Sequence, residues 1–393
     1  MYLTKEEERI CEGEQGWAKQ ICMKILVRLG ELFNAEKLIP ISSAHVSGVS
    51  YKTLGDAPTE FLKALADAQG KATVRATLNP QSLDPEYLGK KLDAELCEKQ
   101  LKILRQFERM GFTQSLTCTP YYLEKTKRGS HLAWAESSAV VYANSVLGAW
   151  TNREGGPSAL AAAIIGKTPD YGIHRAENRQ PKAIVHVNDH LQSETEYGAL
   201  GICLGKILED RIPMIWGIEK ASENDLKQLG AALASSGMVN MFQRGPQDPI
   251  KKPRNVQTIS VEARDIKSTI DSLTTTSTSK PDLVFVGCPH CSSDEMEQIA
   301  RLVEDKKVKT GTEFWVCTSR HVKELKRESV EIIERSGGHV LAGVCTVVSW
   351  TEKLGIKTIM TNSAKTAYYA PTLNKAQTIL APLEDCIKAA FRR

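Results

Sequence analysis

The chain of 393 residues lacks any apolar run of the 18 or so residues that cross a bilayer. Nothing like a signal peptide opens it, because residues 4 to 15 are rich in Glu and Lys, so a cytosolic protein is expected. It has no GxxxxGK[ST] loop and no GxGxxG following a strand pattern, which leaves ATP and nicotinamide cofactors without support. An excess of one charge is also missing: the formal net charge is +4 and the basic residues are scattered, which argues against a nucleic-acid or membrane partner. Internal repeats and low-complexity tracts are absent. Of the ten cysteines only Cys288 and Cys291 form a CxxC, so the second pair that a structural zinc site wants is not there. What remains is an ordinary globular composition, 41% hydrophobic and 25% charged, in a chain long enough for two or three domains.

The periodicity reads as α/β. Residues 5 to 33 carry a helical stripe of Ile10, Trp17, Ile21, Ile25, Leu29 and Leu32, weakened at Gly13 and Gly16. LIPI reads as a short strand, and residues 42 to 55, SSAHVSGVSYKTLG, read as a functional loop too polar for a sheet interior. A helix from about Pro58 to Gln69, the strand ATVRATL, the loop NPQSLDP, a helix from about Asp93 to Met110 and a strand FTQSLTC follow. Residues 182 to 243 alternate again: KAIVHV, helix, PMIWGI, helix, VNMF. GPQDPIKKPRN reads as a linker, TTTSTSKPD as a further break, and DLVFVG, TEFWVC, HVLAG and KTIMTN as strands of a last parallel layer. The boundaries expected are 1–170, 171–250 and 251–393. Such proteins place ligands beyond the carboxyl ends of strands.

Residues 134 to 166 concentrate the chemistry. Glu136, Ser137, Ser138, Asn144, Ser145, Asn152, Arg153 and Glu154 interrupt a small-residue apolar segment, and burying such groups unpartnered costs roughly 1–3 kcal/mol each. Two readings stay open: a helix pair whose polar groups cap ends and satisfy one another, or a pocket wall where Arg153 and the amides of Gly155 and Gly156, ahead of Pro157, hold an anion.

The cysteines divide by position. Cys11, Cys22, Cys97, Cys203 and Cys386 fall in predicted helices, and Cys317 in the strand FWVC, where a thiol is usually a small buried hydrophobe. Cys118, Cys288 and Cys345 each end a predicted strand. Three thiolates from separate loops suit an iron–sulfur cluster with one iron left for substrate, while GCPHC competes as a redox or zinc motif and unrelated thiols remain possible. His45 is either an acid or a donor to a loop carbonyl. In TNSAKTAYYAP, Asn362, Ser363 and Lys365 follow a strand, and Lys365 is either an anion ligand or a surface lysine.

SSAHVSGVSY, TLNP, CTPYY, WAESSAVVYANSVLGAWTNREGGPSAL, GCPHCS and NSAKTAYYAP together resemble the large subunit of aconitase X along essentially the whole chain. The resemblance implies an aconitase-like multi-domain α/β fold with mainly parallel sheets and the active site at the carboxyl ends of strands. It implies a hydro-lyase. Archaeal members with a separate large subunit dehydrate (R)-5-phosphomevalonate to trans-anhydromevalonate 5-phosphate, in a variant mevalonate pathway of isoprenoid biosynthesis. Bacterial relatives, often with the small subunit fused on, dehydrate cis-3-hydroxy-L-proline. A chain that stops after the large-subunit portion favours the archaeal activity. An iron–sulfur sensor that binds RNA is the non-enzyme alternative, and the lack of a basic stripe opposes it.

The resemblance further implies that Cys118, Cys288 and Cys345 hold a 4Fe–4S cluster with one iron lacking a protein ligand, Cys291 being a neighbour. Arg153, Lys365, the loop at Gly48, Val49 and Ser50, and Asn79 with Pro80 would bind the carboxylate and phosphate. Asn144 and Ser145 would line the wall, and Glu136, His45 and Ser43 are the catalytic candidates. A small subunit is the expected partner; it would close the site and supply the base, a serine, leaving the large subunit alone inactive.

Overall fold

Gly13 and Gly16 do more than weaken the first helix. Both have positive φ, 96° and 89°, so the stripe is cut into α1 (Lys5–Glu12), capped by Thr4 and Gly13, and α2 (Trp17–Leu32). The structure is a computed structural model that describes residues 1–123, 125–245, 256–278 and 280–392. It forms two compact units, Met1–Arg179 and Gln180–Arg393.

In the first unit β1 (Leu38–Pro40) pairs antiparallel with β5 (Lys167–Pro169). A parallel three-stranded sheet has the order β3-β2-β4, from β2 (Ser43–Val46), β3 (Arg75–Leu78) and β4 (Leu132–Trp134). This corrects the expectation at two places. SAHV, read as loop, is the central strand, because the polar atoms of His45 find partners inside the sheet. FTQSLTC, read as strand, contributes only an isolated bridge, Thr77 with Thr113. The helices are the short α3 (Tyr51–Leu54), α4 (Asp56–Asp67), α5 (Ala94–Arg109), α6 (Ser137–Tyr142) and α7 (Gly156–Ile165). Helix α6 runs on into a π-helical turn, Ala143–Leu147. Helix α7 is almost wholly apolar and accordingly buried, packing into a core with Met23, Leu26, Leu65, Ile103 and Phe107.

In the second unit a parallel sheet of order β8-β7-β6-β9 is built from β6 (Ala183–Val187), β7 (Pro213–Trp216), β8 (Gln243–Arg244) and β9 (Gln257–Val261). VNMF itself is not a strand; the pairing begins just after it. Helices α8 (Glu194–Leu208), α9 (Glu223–Ser236) and α10 (Ala263–Leu273) accompany this sheet. Residues 246–255, most of the expected linker, lie outside the described residues.

A second parallel sheet, of order β13-β12-β10-β14-β15, comprises β10 (Leu283–Cys291), β12 (Glu313–Thr318), β13 (His339–Ala342), β14 (Thr358–Thr361) and β15 (Gln377–Leu380). Around it run α11 (Ser293–Val303), α12 (Arg320–Leu325), α13 (Arg327–Arg335), α14 (Ala364–Leu373) and α15 (Leu383–Ala390). A small antiparallel pair joins β11 (Lys307–Val308) to β16 (Phe391–Arg392). The four expected strands are present, and β15, which is only half apolar, is the addition. Crossover helices between parallel strands send every exit loop of such a sheet to one edge, which is what assembles a site from distant sequence.

Candidate functional site

In the first unit a chain of polar contacts begins on β2. His45 is fully buried; its Nδ1 lies 2.8 Å from Thr77 Oγ1 and its Nε2 3.4 Å from Asn79 Oδ1. Asn79 Nδ2 donates to Glu136 Oε2 at 2.8 Å, so Oδ1 is the acceptor and His45 Nε2 carries the proton. Glu136 caps α6, and its Oε1 accepts from Ser138 Oγ at 2.9 Å and Ser138 N at 3.3 Å. Burial pulls the His45 imidazole down to about 4 against the opposing pull of Glu136, so the ring is neutral at neutral pH. It is a donor, not an imidazolium acid.

Thr117 N donates to Leu78 O at 3.0 Å, which ties the segment before Cys118 to the carboxyl end of β3. Thr117 Oγ1 in turn contacts Thr119 Oγ1 at 3.0 Å and accepts from Thr119 N at 3.1 Å, bracketing the buried Cys118. His45, Asn79, Glu136 and Cys118 are therefore gathered at the exits of β2 and β3.

Other expected residues serve the scaffold around them. Ser43, two residues before His45 at the start of β2, accepts from Trp134 Nε1 at 3.2 Å. Asn144 donates to Thr151 O at 2.9 Å and accepts from Thr151 N at 3.0 Å and from Arg179, so its amide is spent closing the turn after α6. Ser145 and Arg153 are half-buried, and Arg153 bridges to Trp134 of β4. Gly156 is required by a close approach: a Cβ there would lie 2.8 Å from Ser47 O. The helix-pair reading of residues 134 to 166 thus holds for Glu136 and Asn144, which cap α6 and close the turn after it.

Gln100, on α5, was not among the candidates. It is buried, donates to Val49 O at 2.8 Å, and accepts from Tyr51 N at 3.0 Å and Ser82 Oγ at 2.7 Å. One amide thereby holds the Gly48, Val49 and Ser50 loop beside the loop that follows Pro80. Its only sequence signal is a polar residue on the apolar stripe of α5 with Ile103, Leu104 and Phe107.

In the second unit Cys288 is buried where β10 loses register, ahead of a cis peptide bond to Pro289. Gly287 has φ 102°, and a Cβ there would fall 2.2 Å from Cys317 O. His290 Nε2 donates to Val344 O at 2.8 Å, joining the Cys288 loop to the residue before Cys345. Cys345, half-buried, leads into a turn pinned by Asn374 Nδ2, which donates to Thr346 O at 3.0 Å and Thr351 Oγ1 at 2.8 Å.

At the exit of β14 the buried Asn362 Oδ1 and, one turn into α14, Thr366 Oγ1 have no partner, and Lys365 between them is half-buried. Unpartnered buried polar atoms beside a lysine at a strand exit suit a polar ligand. Cys291 is the odd one out: it is buried within the apolar core of the second unit, and burial above all drives its thiol up. Cys317 is fully buried in β12, as expected of a core residue. No disulfide joins any of the ten cysteines. Among the described residues no group of three or more His, Cys, Asp or Glu is close enough to hold a metal ion, and Cys118 belongs to one unit while Cys288 and Cys345 belong to the other. The donor chemistry nevertheless fits an iron–sulfur group: Cys288 lies in the register-broken end of β10 and Cys345 just past β13, on segments joined by His290, and in the first unit Cys118 follows a segment tied to the exit of β3.

Fold and site together define a multi-domain α/β protein that collects thiols and polar side chains at the carboxyl ends of parallel strands. The aconitase X first, second and third domains match residues 1–177, 181–271 and 281–392. The chain belongs to the aconitase X family. It is 45% identical over 406 residues to the phosphomevalonate dehydratase large subunit of Methanocaldococcus jannaschii, covering 99% of this chain and 100% of that one. Against the cis-3-hydroxy-L-proline dehydratase of Pseudomonas aeruginosa identity is 32%, covering 98% of this chain and 69% of the relative. The crystal structure of Thermococcus kodakaraensis aconitase X in its holo-form superposes with a TM-score of 0.92 at 42% identity, covering 99% of this chain and 100% of that one.

Proposed function

We propose that this chain is the large subunit of a phosphomevalonate dehydratase, which removes water from (R)-5-phosphomevalonate to give trans-anhydromevalonate 5-phosphate in an archaeal mevalonate pathway. Its class is hydro-lyase. The observation that carries the substrate is the end-to-end similarity to the archaeal large subunits, with the hydroxyproline enzymes more distant. We infer a small subunit as partner, because those relatives are named large subunits.

The family implies an iron–sulfur group, and we assign Cys118, Cys288 and Cys345 as its ligands in a 4Fe–4S cluster. When bound, an iron without a protein ligand supplies Lewis-acid polarisation to a hydroxyl and a carboxylate oxygen. The protein's own part is positioning and proton handling. Glu136, oriented by Asn79 and Ser138, is the carboxylate that accepts or returns a proton at the reacting carbon or the departing hydroxyl. His45, neutral, holds Asn79 through its Nε2 proton and thereby Glu136, while Ser43 steadies Trp134 beside it. Arg153 and Lys365 supply the cations that a carboxylate and a phosphate need, Asn79 and Pro80 border the substrate, and the loop at Gly48, Val49 and Ser50 is held ready by Gln100. Ser145 lines the wall and Asn144 shapes it.

The test is an anaerobic assay of the chain co-expressed with its small subunit, offered (R)-5-phosphomevalonate and cis-3-hydroxy-L-proline side by side while the alkene is followed. Turnover of the phosphate ester alone is expected. Turnover of the imino acid alone would keep the reaction class and discard the substrate. RNA binding without turnover of either would replace the enzyme by a sensor.

A further inference from the structure

The GCPHCS loop is gripped from beneath by a buried ion pair that the proposed reaction does not use. Lys227, on α9, is 1% exposed, and its ammonium is bonded to Glu295 Oε2, on α11, itself 5% exposed. The same carboxylate oxygen accepts from Ser292 N at 2.6 Å, and Lys227 Nζ also donates to His290 O at 3.4 Å. The pair therefore holds the backbone on both sides of Cys291. The His290 ring then passes that hold to Val344, the residue before Cys345, at 2.8 Å.

Glu295 in an ordinary capping box would need only Ser292, whose Oγ accepts from Glu295 N at 3.2 Å. A fully buried lysine is an expensive addition to such a cap, and ion pairs of this kind are outperformed in stability by apolar packing. Stability alone therefore does not account for it. A further carboxyl, Glu194 of α8, lies close to the pair, and burial first, then Glu295, push it up to about 8, so it is protonated at neutral pH and adds no second negative charge. The ammonium is thus held between the Glu295 carboxylate and His290 O, which leaves the lysine little freedom to move.

We infer that Lys227 and Glu295 are positioning residues for the iron–sulfur group, a clamp that presets the loops carrying Cys288 and Cys345 before iron arrives. The inference rests on the ligand assignment proposed above. Partners behind the ligands of a metal site set ligand orientation, and their loss typically weakens the metal by roughly 10–100-fold.

The experiment uses the full chain with its small subunit, reconstituted anaerobically with iron and sulfide. Wild type, Lys227→Met and the double variant Lys227→Met/Glu295→Gln are compared. The single variant strands a buried carboxylate and risks misfolding. The double variant removes both charges and leaves an amide oxygen for Ser292 N, so it keeps the question answerable. The readouts are iron per chain, the chelator concentration that strips half of it, the visible circular dichroism of the cluster, and the far-ultraviolet spectrum of the apoprotein.

The clamp predicts that the double variant keeps the wild-type far-ultraviolet spectrum but yields its iron at roughly 10–100-fold lower chelator, with an altered visible spectrum. Release at the wild-type concentration with an unchanged visible spectrum would reduce the pair to a stitch between α9 and α11 and overturn the inference. A wild-type complex that takes up no iron would instead overturn the ligand assignment, a failure visible before any variant is read.

Discussion

At the scale of single residues, burial decides what each polar group can do. Glu136 keeps both carboxylate oxygens occupied, by Asn79 on one side and Ser138 on the other, so its orientation is set before substrate binds. Glu136→Gln preserves the shape and removes the charge; kcat is expected to fall by roughly 10²–10⁴-fold with iron content unchanged, measured in the anaerobic assay. Arg153→Ala and Lys365→Ala each test a cation proposed to bind the substrate's anionic groups. Each is expected to raise KM for the phosphorylated substrate by roughly 10–100-fold, the worth of a charge-assisted hydrogen bond, and an unchanged KM removes that residue from the role.

His174 contributes a pH dependence of stability. Its Nδ1 lies 2.9 Å from His131 Nδ1, its Nε2 is buried without a partner, and burial first, then His131 and Arg179, pull it from 6.5 to about 3. A histidine kept neutral in the folded state binds fewer protons than the unfolded chain does below pH 6.5. Stability is therefore full above that pH and is lost as pH falls towards 3, by about 1.4 kcal/mol per pH unit. Buried, neutral His45 acts in the same sense, so urea unfolding of the apoprotein between pH 7 and 5 should lose stability at least that steeply, and His174→Gln should remove the His174 share of the slope.

At the scale of elements, the loops are ordered by single side chains sent up from helices. Gln100 is the clearest, since α5 delivers one amide to Val49, Tyr51 and Ser82. Gln100→Ala leaves a buried carbonyl and a buried N–H without partners. Each costs about 1–3 kcal/mol, so denaturation should show a loss of a few kcal/mol together with a raised KM from the loosened loop. Asn374, carried just past α14, has the same relation to the turn after Cys345. Elements also explain where the sequence misled. Residues 43 to 46 look too polar for a central strand until Thr77 and Asn79 are placed beside His45, and FTQSLTC alternates like a strand but pairs only at Thr113.

At the scale of the whole molecule, the two large hydrophobic cores do not take up the proposed cluster ligands. The core around Met23, Leu65 and Phe107 does not include Cys118, and the core around Val284, Phe314 and Ile387 includes Cys291 but neither Cys288 nor Cys345. Stripping iron with a chelator should therefore abolish turnover while leaving the far-ultraviolet spectrum and a cooperative thermal transition, and anaerobic iron and sulfide should restore activity. Among the described residues no helix is long and apolar enough to cross a membrane.

Periodicity and strand-end position alone placed most helices, the parallel layer from DLVFVG to KTIMTN, and Cys288 and Cys345 at the ends of two of its strands, whereas Cys118 was expected at the end of a strand that does not form. Those features are local: they follow from which side chains repeat at 3.6 or 2 residues and from where a strand must stop. Family motifs added the reaction class and the proposal for the cluster ligands. What no local pattern holds is the pairing of polar groups across sequence. That His45 belongs inside a sheet, that Asn144 is spent on Thr151 and Arg179, that Gln100 ties two loops and that Lys227 lies buried against Glu295 are all decided by partners up to 68 residues away. A buried polar group is tolerable only when its partner is in place, and the tertiary structure is what supplies the partner.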